Sequence, residues 1–540
     1  MQPVTDRLTD LVAALLPDEY AADPLIATRA GQPGYDHLLP DLDAASIAAR
    51  EARDDAWLRR FQAVPDDELA DPQDRADRDL VIAFLLGRRV TREWADWRRN
   101  PDHYTQPPLF GVFQLFMHGL RSPAELTADA AARLRAAPAL LAQGRANLDP
   151  EMASPLLVHR AINTARGGVA FGRELVADFV DDPALKDELR SAGEVAAAAY
   201  EDFVAFLEDL ESRATGSWAL GEVAYDGLLQ QREGLSYGAR ELRRRGEQEY
   251  AALEQEMREL TKTIAGHDDW HRLIDELVAD APPTPEAMRD EYAEWTARAR
   301  DFLVERDLVT LPAGEECKVL PAPGFARATL PVAFYMEPPP LAKAAPIGHF
   351  FVPYPPDGST PEEIQDRLRA NCRFGIPTTS VHEAYPGHHW HMAHVAATLH
   401  RPVRSVFDSS YFIEGWALYV EKMMREQGFF TDPVHELGQV EARLFRAARM
   451  IVDTSLHLGE MSVDEATEFM TTHTAMPPET ARAEVTRYCS WPTQAPSYLT
   501  GALEIERMAN EWGGGLKDFH DRLAGSGGLP LGIAERLLRS

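Results

Sequence analysis

Over most of its 540 residues the chain places apolar side chains three and four positions apart, among Ala, Leu, Glu and Arg. That spacing is the mark of amphipathic helices. Residues 44–62, 124–147 and 185–213 follow it. The stretch 228–265 is the longest, with Leu253, Met257 and Leu260 on one face. Prolines 282, 283 and 285 end the following helix and open another over about 284–306. Between about 307 and 356 the helical period is lost. There DLVTLP, CKVLPAP, LPVAFYMEPPP and GHFFVPYPP are short β-like runs cut by proline, which confines strands to edges or short pieces. A small sheet with an exposed edge strand, drawn from 331–353, is expected, and an extended peptide could add to it. After Pro361 the helical pattern resumes to the end, broken at Pro402, Pro433, Pro477–Pro478 and Pro492–Pro496.

The predicted fold class is therefore mainly α, a large helical protein with a small β-sheet. No repeat or low-complexity linker marks a boundary. The expected organisation is a helical N-terminal lobe, 1–306, and a catalytic lobe, 307–540, with a deep cleft between them, or one bilobed domain.

Composition limits the partners. Apolar residues make up 45% and charged residues 26%, ordinary for a globular protein, which excludes disorder and fibrous repeats. With 55 basic and 86 acidic residues the net charge is −31, so phosphate backbones and anionic membranes are repelled. No stretch approaches the ~20 apolar residues that span a bilayer. Cys317, Cys372 and Cys489 form neither a disulfide framework nor a CxxC metal site, and no base partner for a thiol nucleophile is evident. Near the N-terminus the longest apolar run, Leu11–Leu16, is too short for a signal peptide and has aspartates on both sides, so a cytoplasmic protein is expected.

The chemistry concentrates in one place. Six of the 17 histidines fall between His382 and His400. Neither a solvated helix nor an aliphatic core needs them. The informative run is His382-Glu383-Ala384-Tyr385-Pro386-Gly387-His388-His389. A zinc hydrolase needs two neutral imidazoles on one side of the metal and a carboxylate beside them to take a proton from water. In HExxH the histidines stand one helical turn apart. Here position 386 is Pro and the next histidine, His388, comes six residues after His382. In an ideal helix six residues turn through about 600° and put His388 on the wrong face, while His389 returns to the right face about 10.5 Å further on. A helix bulged at Pro386-Gly387 absorbs the two extra residues and makes His388 the second ligand, with His389 as the alternative. Then Tyr-Phe-Ile-Glu414-Gly-Trp-Ala-Leu-Tyr-Val-Glu421 is an apolar helix with a carboxylate that is costly to bury unless paired or bound to metal. Glu414 follows His388 by 26 residues, room for a helix to return alongside. His382, His388 and Glu414 are thus the candidate metal ligands, a donor set that suits Zn2+. Asp408 and Glu421 are candidate partners for the ligand histidines.

This constellation resembles the gluzincin metallopeptidases, in which a histidine–glutamate helix is followed by a second helix donating Glu. Angiotensin-converting enzyme and the thimet oligopeptidase and Taq carboxypeptidase families share that pattern and are largely helical. More closely, the chain is similar to the bacterial family called domain of unknown function 885. That family is marked by HEAxPGHH, EGWALY, a later RY…P…YxxG and an upstream YxxLL…EM. Here these are 382–389, 414–419, Arg487-Tyr488…Pro492…Tyr498–Gly501, and Tyr225–Leu229 with Glu256-Met257. The resemblance implies a zincin-like fold with the sheet beside the metal-site helix. It implies a zinc-dependent metallopeptidase cleaving short peptides, with Glu383 as general base. It also brings forward Tyr498, then Tyr488, as donors to the oxyanion, and Arg487 as a clamp on a substrate carboxylate. A metal-dependent amidase or esterase acting on a small metabolite would use the same residues. A non-catalytic zincin-derived peptide-binding protein is the other alternative, against which the intact His-Glu pair argues. Oligomeric state, specificity and exo- versus endo-cleavage are not written in these residues.

The remaining motifs point elsewhere. His267 and His271 stand one turn apart, but Asp268 and Asp269 between them fit a helix start. Trp512–Lys517 is glycine-rich but lacks P-loop spacing.

Overall fold

The computed structural model describes residues 4–327, 332–342 and 347–540. It is mainly α, with one three-stranded sheet among the described residues. No described helix is long and apolar enough to cross a membrane. The chain divides into two compact units. One comprises Met1–Arg232 with two short returns, Pro339–Lys343 and Pro402–Phe407; the other holds the rest.

In the first unit the helices Pro123–Asn147, Pro155–Ala170 and Pro183–Arg213 pack side by side. Each opens on a proline, whose fixed φ and missing N–H suit a first turn. Ser122 and Asp182 cap two of them by accepting backbone N–H groups. Small residues such as Ala130, Ala161 and Ala196 let the helices approach, and Tyr104, Tyr200, Phe203 and Leu207 fill the space between. The run Leu11–Leu16 lies within helix Val4–Ala22, where Leu15 is fully buried.

The second unit carries the sheet: β1 (Glu316–Pro321), β2 (Phe334–Met336) and β3 (Ile347–Val352). β3 is central, parallel to β1 and antiparallel to β2. Both outer strands are edges, as the prolines require. Residue 331 and residues 343–346 of the expected edge segment lie outside the described residues. Helix Pro285–Arg306 packs on β1, β3 and helix Ile376–Glu383, with Tyr292 meeting Phe350 edge-on.

Two other contacts organise this unit. Helix Ala239–Ala265 lies along helix Pro433–His457, with Gly246 against Met450. Helix Ser410–Glu426 lies along helix Ser497–Glu511 with Gly415 against Gly501, so close that a methyl group on either would strike the other backbone. The expected division near residue 306 thus differs from the observed one at Arg232–Glu233. Helices 239–265 and 285–306 present apolar faces whose partners, helices 433–457 and 376–383, lie far along the chain, and periodicity reveals a face but not its partner.

Candidate metal centre

Helix Ile376–Glu383 ends on His382-Glu383, and helix His388–Thr398 begins on the next histidine. In a continuous helix each N–H reaches the carbonyl four residues back. Here Gly387 N reaches Val381 O at 3.1 Å and Trp390 N reaches Ala384 O at 3.1 Å, six residues back in both cases. The two extra residues are looped out around a cis Tyr385–Pro386 bond. Gly387 lies so close to the carbonyls of Val381 and His382 that any Cβ would collide with them. Trp416 Nε1 donates to Pro386 O at 2.9 Å and ties the loop to the neighbouring helix. The bulge brings the rings of His382 and His388 to 4.8 Å.

Helix Ser410–Glu426 delivers the third group. Glu414 Oε2 lies 3.6 Å from His382 Nε2 and 3.5 Å from His388 Nε2. The three donor atoms lie within 4.8 Å of one another. Bonds of about 2.0–2.1 Å to a tetrahedral ion place neighbouring ligand atoms about 3.4 Å apart, so the donor set fits such a cation. Glu421, seven residues after Glu414 on the same helix face, meets His382 Nδ1 at 2.7 Å. It accepts from the Nδ1–H, so Nε2 is the ring nitrogen turned toward Glu414. The other candidate, Asp408, lies instead beside Gly528. Among the described residues no second such trio occurs, and none includes His267 or His271.

Charge accumulates at this point. Burial alone would keep His382 neutral, yet Glu414 and Glu421 raise its pKa to about 10. Burial pushes Glu414 up, but the two imidazoles outweigh it and hold the carboxyl well below the usual carboxylate range. The pocket is built to hold positive charge between these side chains.

Glu383 stands beside the trio. Its Oε2 accepts the backbone N–H of Tyr335 in β2 at 2.8 Å. Burial raises its pKa, against the pull of His382 and His388. The alternative ligand His389 is turned away. Its Nε2 meets Glu315 at 2.9 Å and its Nδ1 meets the Tyr335 hydroxyl at 3.2 Å, so both ring nitrogens are engaged. Gly348 in β3 leaves the room this pair occupies.

Tyr498 stacks on His382 with centroids 6.5 Å apart. The Gly415–Gly501 contact puts it there: Tyr498 is one turn before Gly501, and Glu414 is next to Gly415. Burial, then Glu414, raises the Tyr498 pKa. Tyr488 does not reach the site. It is fully buried, and its hydroxyl donates to Glu484 at 2.9 Å and accepts from Arg449 Nε at 3.1 Å. Arg487 borders the cavity, but its fork is taken by Glu484 at 3.0 and 2.9 Å and its Nη1 by Gln494 at 2.7 Å. Tyr488 and Arg487 therefore brace Glu484 rather than face the trio.

The cavity beside the trio measures about 750 Å³, within the range of small-ligand sites. His382, Glu383, His388, Glu414 and Tyr498 line it. So do Glu441, Arg446, Arg449 and Glu484, which sequence reasoning did not single out. The available signal was Arg443, Arg446 and Arg449 at steps of three in helix Pro433–His457.

Residues 24–538 match the family described as bacterial protein of unknown function (DUF885). The chain belongs to that family. This DUF885 chain shares its fold with two solved structures. One is described as a putative lipoprotein of unknown function from Shewanella oneidensis, with TM-score 0.80 and 20% identity over 99% of this chain and 100% of the other. The second is described as the putative lipoprotein from Colwellia psychrerythraea, with TM-score 0.81 and 20% identity over 99% of each. None of the curated proteins matches the DUF885 chain. The cytoplasmic location expected above is corrected by these neighbours, since proteins of the same fold are described as lipoproteins. The run Leu11–Leu16, on which that expectation rested, belongs to helix Val4–Ala22, where Leu15 is buried.

Proposed function

We propose that the protein is a zinc-dependent hydrolase that cleaves short peptides. The observation that carries this reading is the convergence of His382, His388 and Glu414, with Glu383 one residue from the first ligand. His382 and His388 would hold the ion through Nε2 and Glu414 through its carboxylate, with Glu421 fixing the His382 tautomer. A divalent ion bound there supplies Lewis acidity that favours water deprotonation and carbonyl polarisation. Glu383 takes the proton from water and returns it to the leaving amine nitrogen, while the Tyr335 N–H holds one carboxylate oxygen and sets its direction. The Tyr498 hydroxyl donates to the oxygen on which negative charge develops. The outer edge of β2, where the Tyr335 N–H points, offers an extended substrate backbone a place to lie. The gluzincin likeness of the motifs supports the same reading.

Peptide-library digestion by the zinc-loaded protein and its Glu383→Gln variant tests this. The variant is expected to keep the metal and lose about 10³-fold in kcat, within the range for a general base. A Gln variant of undiminished turnover would remove Glu383 from its role. Cleavage of simple amides or esters but no peptide would favour the amidase alternative. Full metal occupancy without turnover of any of them would favour the binding-protein alternative.

A further inference from the structure

The arginines of the cavity differ in what they hold. Glu484 accepts from Arg449 at 2.8 Å and from Arg487 at 3.0 and 2.9 Å, so one carboxylate serves two guanidinium groups. Burial would lift the Glu484 carboxyl, but Arg487 and Arg449 hold it well below the usual carboxylate range. Arg446, one turn before Arg449, pairs with no carboxylate among the described residues. Its Nη1 donates to Ala442 O at 3.1 Å in its own helix, while its Nε is buried without any hydrogen-bond partner. Arg53 and Arg425 also carry buried nitrogens without a hydrogen-bond partner, but neither side chain lines the cavity as Arg446 does. Elsewhere a buried guanidinium is answered. Arg443 meets Glu506 at 2.7 Å, Arg404 meets Asp77 at 2.6 Å, and Arg133 reaches Leu38 O, Gly111 O and the Thr28 hydroxyl. A buried charged donor left unmatched is costly unless something else arrives to match it.

Its position says what arrives. Arg446 and Arg449 place their guanidinium carbons 5.6 and 4.9 Å from the Tyr498 ring, and that ring stacks on His382 at 6.5 Å. The Arg446 guanidinium thus lies no further from the His382 ring than about three or four extended residues span. Three guanidinium groups against Glu484 leave positive charge at this end of the cavity. Glu441, which also lines it, makes no close ion pair with Arg446, and burial raises its pKa against the pull of the Arg446 charge. Arg446 lines the cavity, and a planar anion there would meet the unpartnered Nε edge in two parallel hydrogen bonds.

We propose that Arg446 is the substrate-anchoring residue, binding the free C-terminal carboxylate of a short peptide or N-acyl amino acid so that cleavage falls within a few residues of that end. This rests on the hydrolase reading for the cleavage but not for the binding. Arg487, which the sequence favoured for the clamp, already gives its Nε, Nη1 and Nη2 to Glu484 and Gln494.

The test compares an N-acetylated tripeptide with its C-terminal amide. Binding to the metal-free full chain is measured by calorimetry, and cleavage by the zinc-loaded chain. The free carboxylate is expected to bind about 10- to 100-fold more tightly than the amide, as for a hydrogen bond to a charged group. Arg446→Gln is expected to abolish the preference for the carboxylate form over the amide. A thermal melt like that of the wild type shows the variant to be folded. Should the Gln variant not fold, Arg446→Lys, which keeps the charge but not the fork, is expected to discriminate less than the wild type. Equal affinity of the two forms for the wild type, binding of neither, or discrimination surviving in either variant at the wild-type level would overturn the proposal. Discrimination in binding without any cleavage would sink the hydrolase reading and leave the anchor standing.

Discussion

Two sites in the molecule bury charge in opposite ways. In the first unit the Arg404 and Asp77 side chains, 2% and 7% exposed, close on each other at 2.6 Å. Arg133, lacking a carboxylate, is satisfied by two carbonyls and a hydroxyl. In the second unit His382, His388, Glu414, Glu421 and Arg446 share one neighbourhood with capacity left over. Glu421 Oε2 and Arg446 Nε are buried and unmatched. Groups that finish their business with one another hold a fold together. Groups beside a cavity that do not are placed to meet what enters it.

The first way to break this comparison is Asp77→Ala. It leaves the Arg404 guanidinium buried without its carboxylate and should cost about 3–5 kcal/mol of stability. Chemical denaturation measures it, and zinc affinity of the folded fraction should not change. A stability loss below about 1 kcal/mol would mean that Asp77 is not what neutralises Arg404. Next in size, Glu421→Ala should do the reverse. It frees His382 Nδ1 and is expected to weaken zinc binding about 10- to 100-fold, read by competition with a chelator.

Smallest is a pH effect spread through the second unit's core. Burial lowers the pKa of His457 and of His520 to about 4. His520 Nδ1 donates to Leu308 O at 2.8 Å while its Nε2 takes the Tyr419 hydroxyl at 2.9 Å, so only the neutral ring fits. Folded pKa values below the unfolded value near 6.5 mean stability that is complete above pH 6.5 and lost as pH falls toward 4. Each ring contributes about 1–3 kcal/mol over that window. Thermal melts between pH 7 and 4.5 should show the decline, and His520→Gln should flatten part of it.

Much of the site was legible because its motifs carry their own geometry. Pro386-Gly387 announces a bulge, since proline withholds a donor and only glycine fits against the Val381 and His382 carbonyls. Glu414 and Glu421 stand two turns apart on one face, so a ligand and its neighbour's partner could be proposed together. The glycines of EGW and YxxG also have a physical reason, the backbone contact of Gly415 with Gly501. Legibility ended where tertiary packing chooses. Tyr488 and Arg487 are adjacent, yet helix 478–490 turns the tyrosine into the core and pairs the arginine with Glu484 three residues earlier. His389 was a plausible ligand until Glu315 and Tyr335, from distant strand-forming segments, claimed both its nitrogens. Arg446 could not be chosen from its helix alone, because what marks it is a partner it does not have.

The adjacent histidines His388 and His389 offer the most direct trial of the account. Zinc content, measured by mass spectrometry after loading and desalting, should be about one ion per chain in the wild type and in His389→Ala, and close to none in His388→Ala. Full occupancy in His388→Ala, or loss confined to His389→Ala, would contradict the convergence of His382, His388 and Glu414 on a single ion.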